Sequence, residues 1–398
     1  MVKVILTLPR DSSFLSSVLY EGLLSSTLHV KAEYDGLSLN LPDDFLSIAF
    51  RRLEEDRISE MRIAMSGNDN VNVTIFRAYR IQEKSKKTFY DLILKLKSNT
   101  DVLKVKKDSI RLVIEFKRKD MIIDEKETFD ANGKKKPISA PQLFKIERYT
   151  GISSLESSYT SQQVTIYTSK EVLLIFLLGL YSSFITSVRQ QNQQNYFFLT
   201  FSPEEIENML NNLNDREFVK KLFRTKEGVM KILKDALNKT SLEEMILLEI
   251  YLNVEIRRLM EKENLDKIST ILFKISLEGQ TYKIYEQIPI TIYREQSFHE
   301  IIRRYFKNPE KFLKNLSEVL SPDGIIFDAL KNVDRYDEAN NVLKAVYGLY
   351  RFIVLGNVEG WYEFLREINN AYRKLENSTK QKEKWRCKEY MKILKQFA

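Results

Sequence analysis

A chain of 398 residues with 43% hydrophobic and 30% charged side chains has a globular composition, and 12 Gly and 8 Pro exclude collagen-like or mucin-like segments. One Cys (Cys387) and two His (His29, His299) exclude an intramolecular disulfide and cysteine-rich metal sites, and leave zinc and histidine acid–base chemistry almost without ligands or bases. The 63 basic residues against 55 acidic ones give a net charge of +8, a mild excess that suits a polyanionic partner.

The length exceeds that at which one core keeps growing, so two domains are expected. VKVILTL opens as a strand, and SFLSSVLYEGLLSS follows with apolar residues at helical spacing. LHVKAEYDGLSLN reads as a hairpin turned at Asp35-Gly36, and Pro42-Asp43-Asp44 starts a helix running to about Met65. VNVTIFRAYRI and SIRLVIEF alternate like strands, and DANGKKKPISAP, with Asn-Gly and two Pro, is an exposed loop. Residues 169 to 188 are apolar on all sides and predict a buried helix, after which YFFLTF returns to strand. Ser202-Pro203-Glu204-Glu205 combines a cap, a proline at the first helical position and acids in the first turn. Residues 203–265 and 297–396 are then helical, with a strand pair at about 268–293 turning at Glu278-Gly279. The expected class is α+β: a mixed domain over 1–201, then a mainly helical domain over 202–398 carrying the hairpin as an insertion.

The N-terminus, MVKVILTLPRDSS, lacks the long apolar core of a signal peptide, and the apolar stretch Val172 to Ile185 is too short to span a bilayer. A soluble, cytoplasmic protein is expected. No P-loop, dinucleotide fingerprint, nucleophile elbow, zinc spacing or kinase motif set is present, so neither a cofactor nor a metal is expected. The acidic pairs, such as Asp43-Asp44 and Glu243-Glu244, fall on helical patterns, where first-turn capping explains them. His29, within STLHVKA, reads as a hydrogen-bonded strand residue.

Three basic clusters stand out. KVKKDSIRLVIEFKRK holds seven Lys/Arg against two acids, including Lys104, Lys106, Lys107, Lys117, Arg118 and Lys119. Lys134, Lys135 and Lys136 lie in the Asn-Gly/Pro loop, and the tail from Lys380 has seven basic and two acidic residues. Each is either a solvated face or a set of phosphate contacts. The run VRQQNQQN places Arg189, Gln190, Gln191 and Asn192 between two buried segments. Side-chain amides donate and accept on one plane, which suits base edges, so the run is either a solvated loop or a recognition loop. One catalytic spacing also exists: Arg294 and His299 in YREQSFHE form R-x4-H, the spacing of HEPN-type ribonucleases. In that alternative the Arg holds a phosphate and the His handles a proton, although Arg294 ends a strand pattern and His299 begins a helical one.

Taken together, LFKIERYTGISSLESSYTSQQ, SKEVLLIFLLGLYSSFITSVR and YFFLTFSPEE, followed by a helical remainder, resemble the large subunit of the archaeal type I-A CRISPR interference (Cascade-like) complex. The resemblance covers about residues 140 to 210 and the overall plan. It implies a non-enzymatic part of an RNA-guided effector whose first domain inspects the motif flanking the target. The helical domain would then help to hold the displaced strand and bring in the helicase–nuclease. Partners implied are target DNA, guide RNA and the other subunits; base pairing reads sequence while the protein supplies flanking-motif contacts and backbone charge. A scaffold that binds acidic protein partners is the remaining alternative.

Overall fold

The computed structural model describes residues 1–81, 88–117, 120–124, 138–149, 165–190, 193–239, 242–279, 281–295, 297–321 and 324–397. It is an α+β protein, as the residue patterns predict. The chain divides into two compact units, Met1–Arg224 with Ser269–Ile290, and Thr225–Ile268 with Thr291–Ala398.

In the first unit, β1 (Val2–Leu6) is followed by α1 (Phe14–Thr27), β2 (Glu33–Tyr34), β3 (Ser38–Leu41), α2 (Phe45–Arg51), α3 (Glu55–Glu60), α4 (Asp69–Ala78), α5 (Phe89–Ser98) and β4 (Ser109–Leu112). β1 lies between β3, antiparallel to it, and β4, parallel to it, with Val4 opposite Leu39 and Ile110. Asp35 makes the β2–β3 turn by accepting from Leu37 N and Ser38 N, while Gly36 supplies a φ of 93°. A second sheet, in the order β5-β6-β8-β7, comprises β5 (Ile114–Lys117), β6 (Asp120–Ile123), β7 (Ile138–Ser139) and β8 (Thr165–Thr168). Then come α6 (Lys170–Ser183), β9 (Phe184–Gln190), β10 (Gln193–Phe201), α7 (Pro203–Asn211) and α8 (Arg216–Lys239), inside which the division of the units falls. β11 (Lys267–Glu278) and β12 (Thr281–Tyr293) complete a third sheet ordered β12-β11-β10-β9.

The centre of this unit is the crossing of α1 and α6, both buried almost all round. Ser13 Oγ caps α1 by accepting from Ser16 N, and Ser169 Oγ caps α6 by accepting from Val172 N. The helices touch backbone to backbone: a Cβ on Gly22 would lie 1.9 Å from Ile175 O, and one on Gly179 would lie 1.9 Å from Val18 O. Phe14 joins this pair to the third sheet, edge-on to Phe198 at 5.1 Å and Phe273 at 5.3 Å. Burying each such side chain contributes roughly 1.5–3 kcal/mol.

The second unit continues with α9 (Glu243–Leu252), α10 (Val254–Glu263), α11 (Ser297–Tyr305), α12 (Pro309–Val319), α13 (Ile325–Lys331), α14 (Ala339–Ile353), α15 (Val358–Leu375) and α16 (Gln381–Phe397). Its core centres on Trp361, packed on Phe312, Phe364 and Phe397. α16 is tied in by a buried ion pair, Arg386 Nε to Glu338 Oε1 at 2.6 Å, with the guanidinium 3.8 Å from the Tyr336 ring centre.

Several expectations are corrected. VNVTIFRA is the helix α4, not a strand. Asn68 caps it, Asn72 donates to Ser66 O, and the buried set Asn72, Ile75, Phe76, Tyr79 has helical spacing. The single helix expected from Pro42 to Met65 is two, α2 and α3, because Glu54 is extended between them. The buried helix ends at Ser183, and residues 184–190 are strand. The two compact units divide at Arg224/Thr225, within α8. The hairpin expected between the helices of the C-terminal part is β11 and β12, and β11 also pairs along β10 from Phe201↔Thr270 to Asn195↔Ser276.

Candidate nucleic-acid interface

The amide run is the end of a strand pair rather than a free loop. β9 and β10 pair through Val188↔Asn195, Arg189↔Gln194 and Gln190↔Gln193, so the chemistry is mounted on two hydrogen-bonded strands. Arg189 is exposed, whereas Asn195 is buried and its Oδ1 accepts from Ser276 Oγ inside the sheet. That amide is structural. Gln191 and Asn192, and likewise Arg118, Lys119, Lys134, Lys135 and Lys136, lie outside the described residues, as do the side chains of Lys117 and Gln190.

The structure separates the first basic cluster into two kinds of lysine. Lys107 is half-buried between carboxylates, 3.2 Å from Asp124 and 3.5 Å from Glu171, so it is a neutralised internal contact and not a phosphate ligand at rest. Asp124 is buried and also accepts from Arg111 N. Lys104 and Lys106 are exposed, and among the described residues neither is in an ion pair.

Folding adds two cations that the sequence left apart. Tyr79 is buried and donates its hydroxyl hydrogen to Lys170 O at 2.8 Å, which brings the end of α4 to the start of α6. Exposed Arg80, held at a φ of 58°, follows directly. Burial pushes the Lys170 ammonium below its ordinary value; Glu171 opposes this, while Arg80, Lys106 and Lys107 push it further down. Cations from three separate segments therefore gather at the first turn of α6, where the helix dipole already favours anions. Arg80 ends a pattern read as a strand and Lys170 begins one read as a buried helix, so neither carried a signal of its own.

His29 is exposed in the turn after α1 rather than in a strand, and burial, Arg52 and Lys220 lower its pKa. The tail is also re-sorted. Arg386 is buried against Glu338, Lys380 pairs with Glu383 and Lys392 with Glu389, while Lys382, Lys384, Lys388 and Lys395 are spread along α16.

In the second unit Arg294 follows β12 and His299 lies on α11, as their patterns predict, yet both line one cavity of about 50 Å³. Arg257 of α10 lines it too, with Tyr251, Tyr293 and aliphatic residues such as Ile256 and Ile292. Arg257 bonds Glu261 and Glu295, and Arg294 bonds Asp266 and Asn264. His299 is buried, and its Nδ1 has no hydrogen-bond partner among the described residues. Burial first, then Arg257 and Arg303 against the opposing Glu295, bring its pKa down to about 4, so the imidazole is neutral at pH 7. Arg257 was invisible in the sequence, because only the fold carries it to the R-x4-H pair.

Among the described residues no helix is long and apolar enough to cross a membrane. The chain is similar to a protein of Archaeoglobus fulgidus described as uncharacterized, at 48% identity over 402 residues and across 100% of both chains. No family model matches the chain, and no solved structure matches it.

Proposed function

This chain and the Archaeoglobus fulgidus protein belong to one family, and we propose that the chain is a non-catalytic nucleic-acid-binding subunit of an RNA-guided CRISPR antiviral effector complex. It contacts target DNA and its flanking motif and recruits the helicase–nuclease. The observation that carries the reading is the gathering of Arg80, Lys106 and Lys170 at the start of α6, beside a Lys107 already neutralised by Asp124 and Glu171. Concentrated positive charge on one surface is what a phosphate backbone requires. Arg189, near the paired ends of β9 and β10, supplies a donor suited to base edges on a rigid mount, and Gln190 is the next residue of the same strand. Phosphate contacts set the register and base contacts give the specificity. The test is binding of target DNA by the assembled complex, with native and altered flanking motifs, after changing Arg189 and Gln190 to Ala. The reading expects flanking-motif preference to fall about tenfold or more; unchanged preference and affinity would sink the recognition role of the strand pair.

A second reading has one observation in its favour. Arg294 and His299, the candidate ribonuclease pair, do line a common cavity. Incubation of RNA with the protein and with His299→Ala separates the two: cleavage abolished only in the variant supports the enzyme, and no cleavage by either leaves the binding subunit.

A further inference from the structure

The geometry points to a seat for a phosphate group in the second unit, formed by Arg257, Arg294 and His299. The cavity they line, about 50 Å³, has room for roughly three waters. One tetrahedral oxyanion fits that space, and a whole nucleoside does not. Among the described residues its lining includes two arginines, one histidine and Asn253 between aliphatic residues and tyrosines, and no carboxylate residue. The acids that pair with the arginines, Glu261, Glu295 and Asp266, are absent from the lining. They hold the guanidiniums in place while using only part of each one's set of five donors, so further N–H groups remain for a ligand.

His299 supplies the second, independent observation. It is only 8% exposed, and its buried Nδ1 has no partner among the described residues. Such an atom costs stability unless a ligand or water satisfies it. The charged groups facing the ring are Arg257 from α10, Glu295 from the segment after β12, and Arg303 from its own helix. A cation would be repelled by the arginines. A phosphate oxygen accepts from both guanidiniums and from an Nδ1–H, and so uses all three groups at once. Its negative charge also favours the imidazolium, so binding draws a proton onto His299. The seat does not depend on nucleic-acid binding by the first unit, nor on any cleavage.

The test follows the two histidines by proton NMR across a pH titration of the intact protein, with His299→Gln to assign the signals. In chloride buffer His299 titrates near pH 4. With millimolar inorganic phosphate at matched ionic strength its midpoint rises by about one pH unit or more, while His29 stays where it was. Arg257→Gln and Arg294→Gln each weaken the phosphate effect about tenfold or more. Unchanged emission of Trp361, in the core of the same unit, serves as the check on folding of each variant. A parallel titration uses an oligonucleotide bearing a 5′-phosphate beside its 5′-hydroxyl counterpart. A shift with the phosphorylated strand but not its counterpart assigns the seat to a strand end, and a shift with inorganic phosphate alone assigns it to free phosphate. A His299 midpoint unmoved by any of these, or moved as far in both arginine variants as in the wild type, overturns the assignment.

Discussion

The two units bury ionisable groups with opposite consequences. In the first, Glu147 reaches the N-terminus of α1 and accepts from Leu15 N, yet burial outweighs that bond and lifts its carboxyl to about 7. In the second, burial and the neighbouring arginines hold His299 down at about 4. A carboxyl raised in the fold binds protons more tightly there than in the unfolded chain. Its stabilising effect is therefore complete below about pH 4.5 and is lost as pH rises to about 7. A depressed histidine works the other way: its effect is complete above about pH 6.5 and is lost as pH falls towards 4. Between those limits, acid strengthens one unit and weakens the other.

The contrast extends to what holds each unit together. In the first, two helices buried almost all round meet backbone to backbone at Gly22 and Gly179; in the second, an aromatic core around Trp361 is closed by α16, which a buried ion pair ties in. Removing one partner of a buried pair strands the other charge, so Glu338→Ala should cost about 3–5 kcal/mol. Gly179→Ala should cost about 3 kcal/mol, the upper end of ordinary overpacking, because its Cβ would meet Val18 O rather than a movable side chain. Both tryptophans, Trp361 and Trp385, lie in the second unit, so denaturant unfolding followed by tryptophan emission should register Glu338→Ala strongly and Gly179→Ala weakly. Far-UV dichroism should register both. Equal effects of the two variants on the tryptophan signal would mean that the units unfold as one.

The pH contrast carries a smaller effect. Hydrogen exchange in α1 should slow as pH is lowered from 7 to 4.5, after correction for the intrinsic rate, by up to about 3 kcal/mol of opening free energy. Exchange in α11 should quicken over the same range. Glu147→Gln should abolish the first trend and leave the second, and His299→Gln should do the reverse. A trend in α1 that survives Glu147→Gln would assign the linkage to another group.

What the sequence revealed was local chemistry. Ser202-Pro203-Glu204-Glu205 starts α7, with Ser202 Oγ accepting from Glu205 N, and Gly279 takes the positive φ expected at its turn. In each case the signal and its effect lie within four residues. VNVTI failed because its alternation competes with a cap at Asn68 and with the burial of Asn72, which donates to Ser66 O six residues back, just beyond the reach of the alternation pattern. Of the candidate site, the exposure of Lys104, Lys106 and Arg189 agrees with their place in polar runs. The neutralisation of Lys107 by Asp124 and Glu171, and the arrival of Arg80, Lys170 and Arg257, depend on contacts between distant segments. No composition window records such contacts.

The proposed role of the first unit stands or falls on whether the cations at the start of α6 meet a phosphate backbone. The salt dependence of duplex DNA binding by the intact protein decides this, with wild type beside a variant in which Arg80, Lys106 and Lys170 are changed to Gln. Removing one lysine or arginine from a phosphate reduces the slope of log affinity against log salt by about 0.9. The variant's slope should therefore be shallower by about 2 to 3, with weaker binding on every sequence. An unchanged slope and affinity would mean that these cations do not hold the backbone.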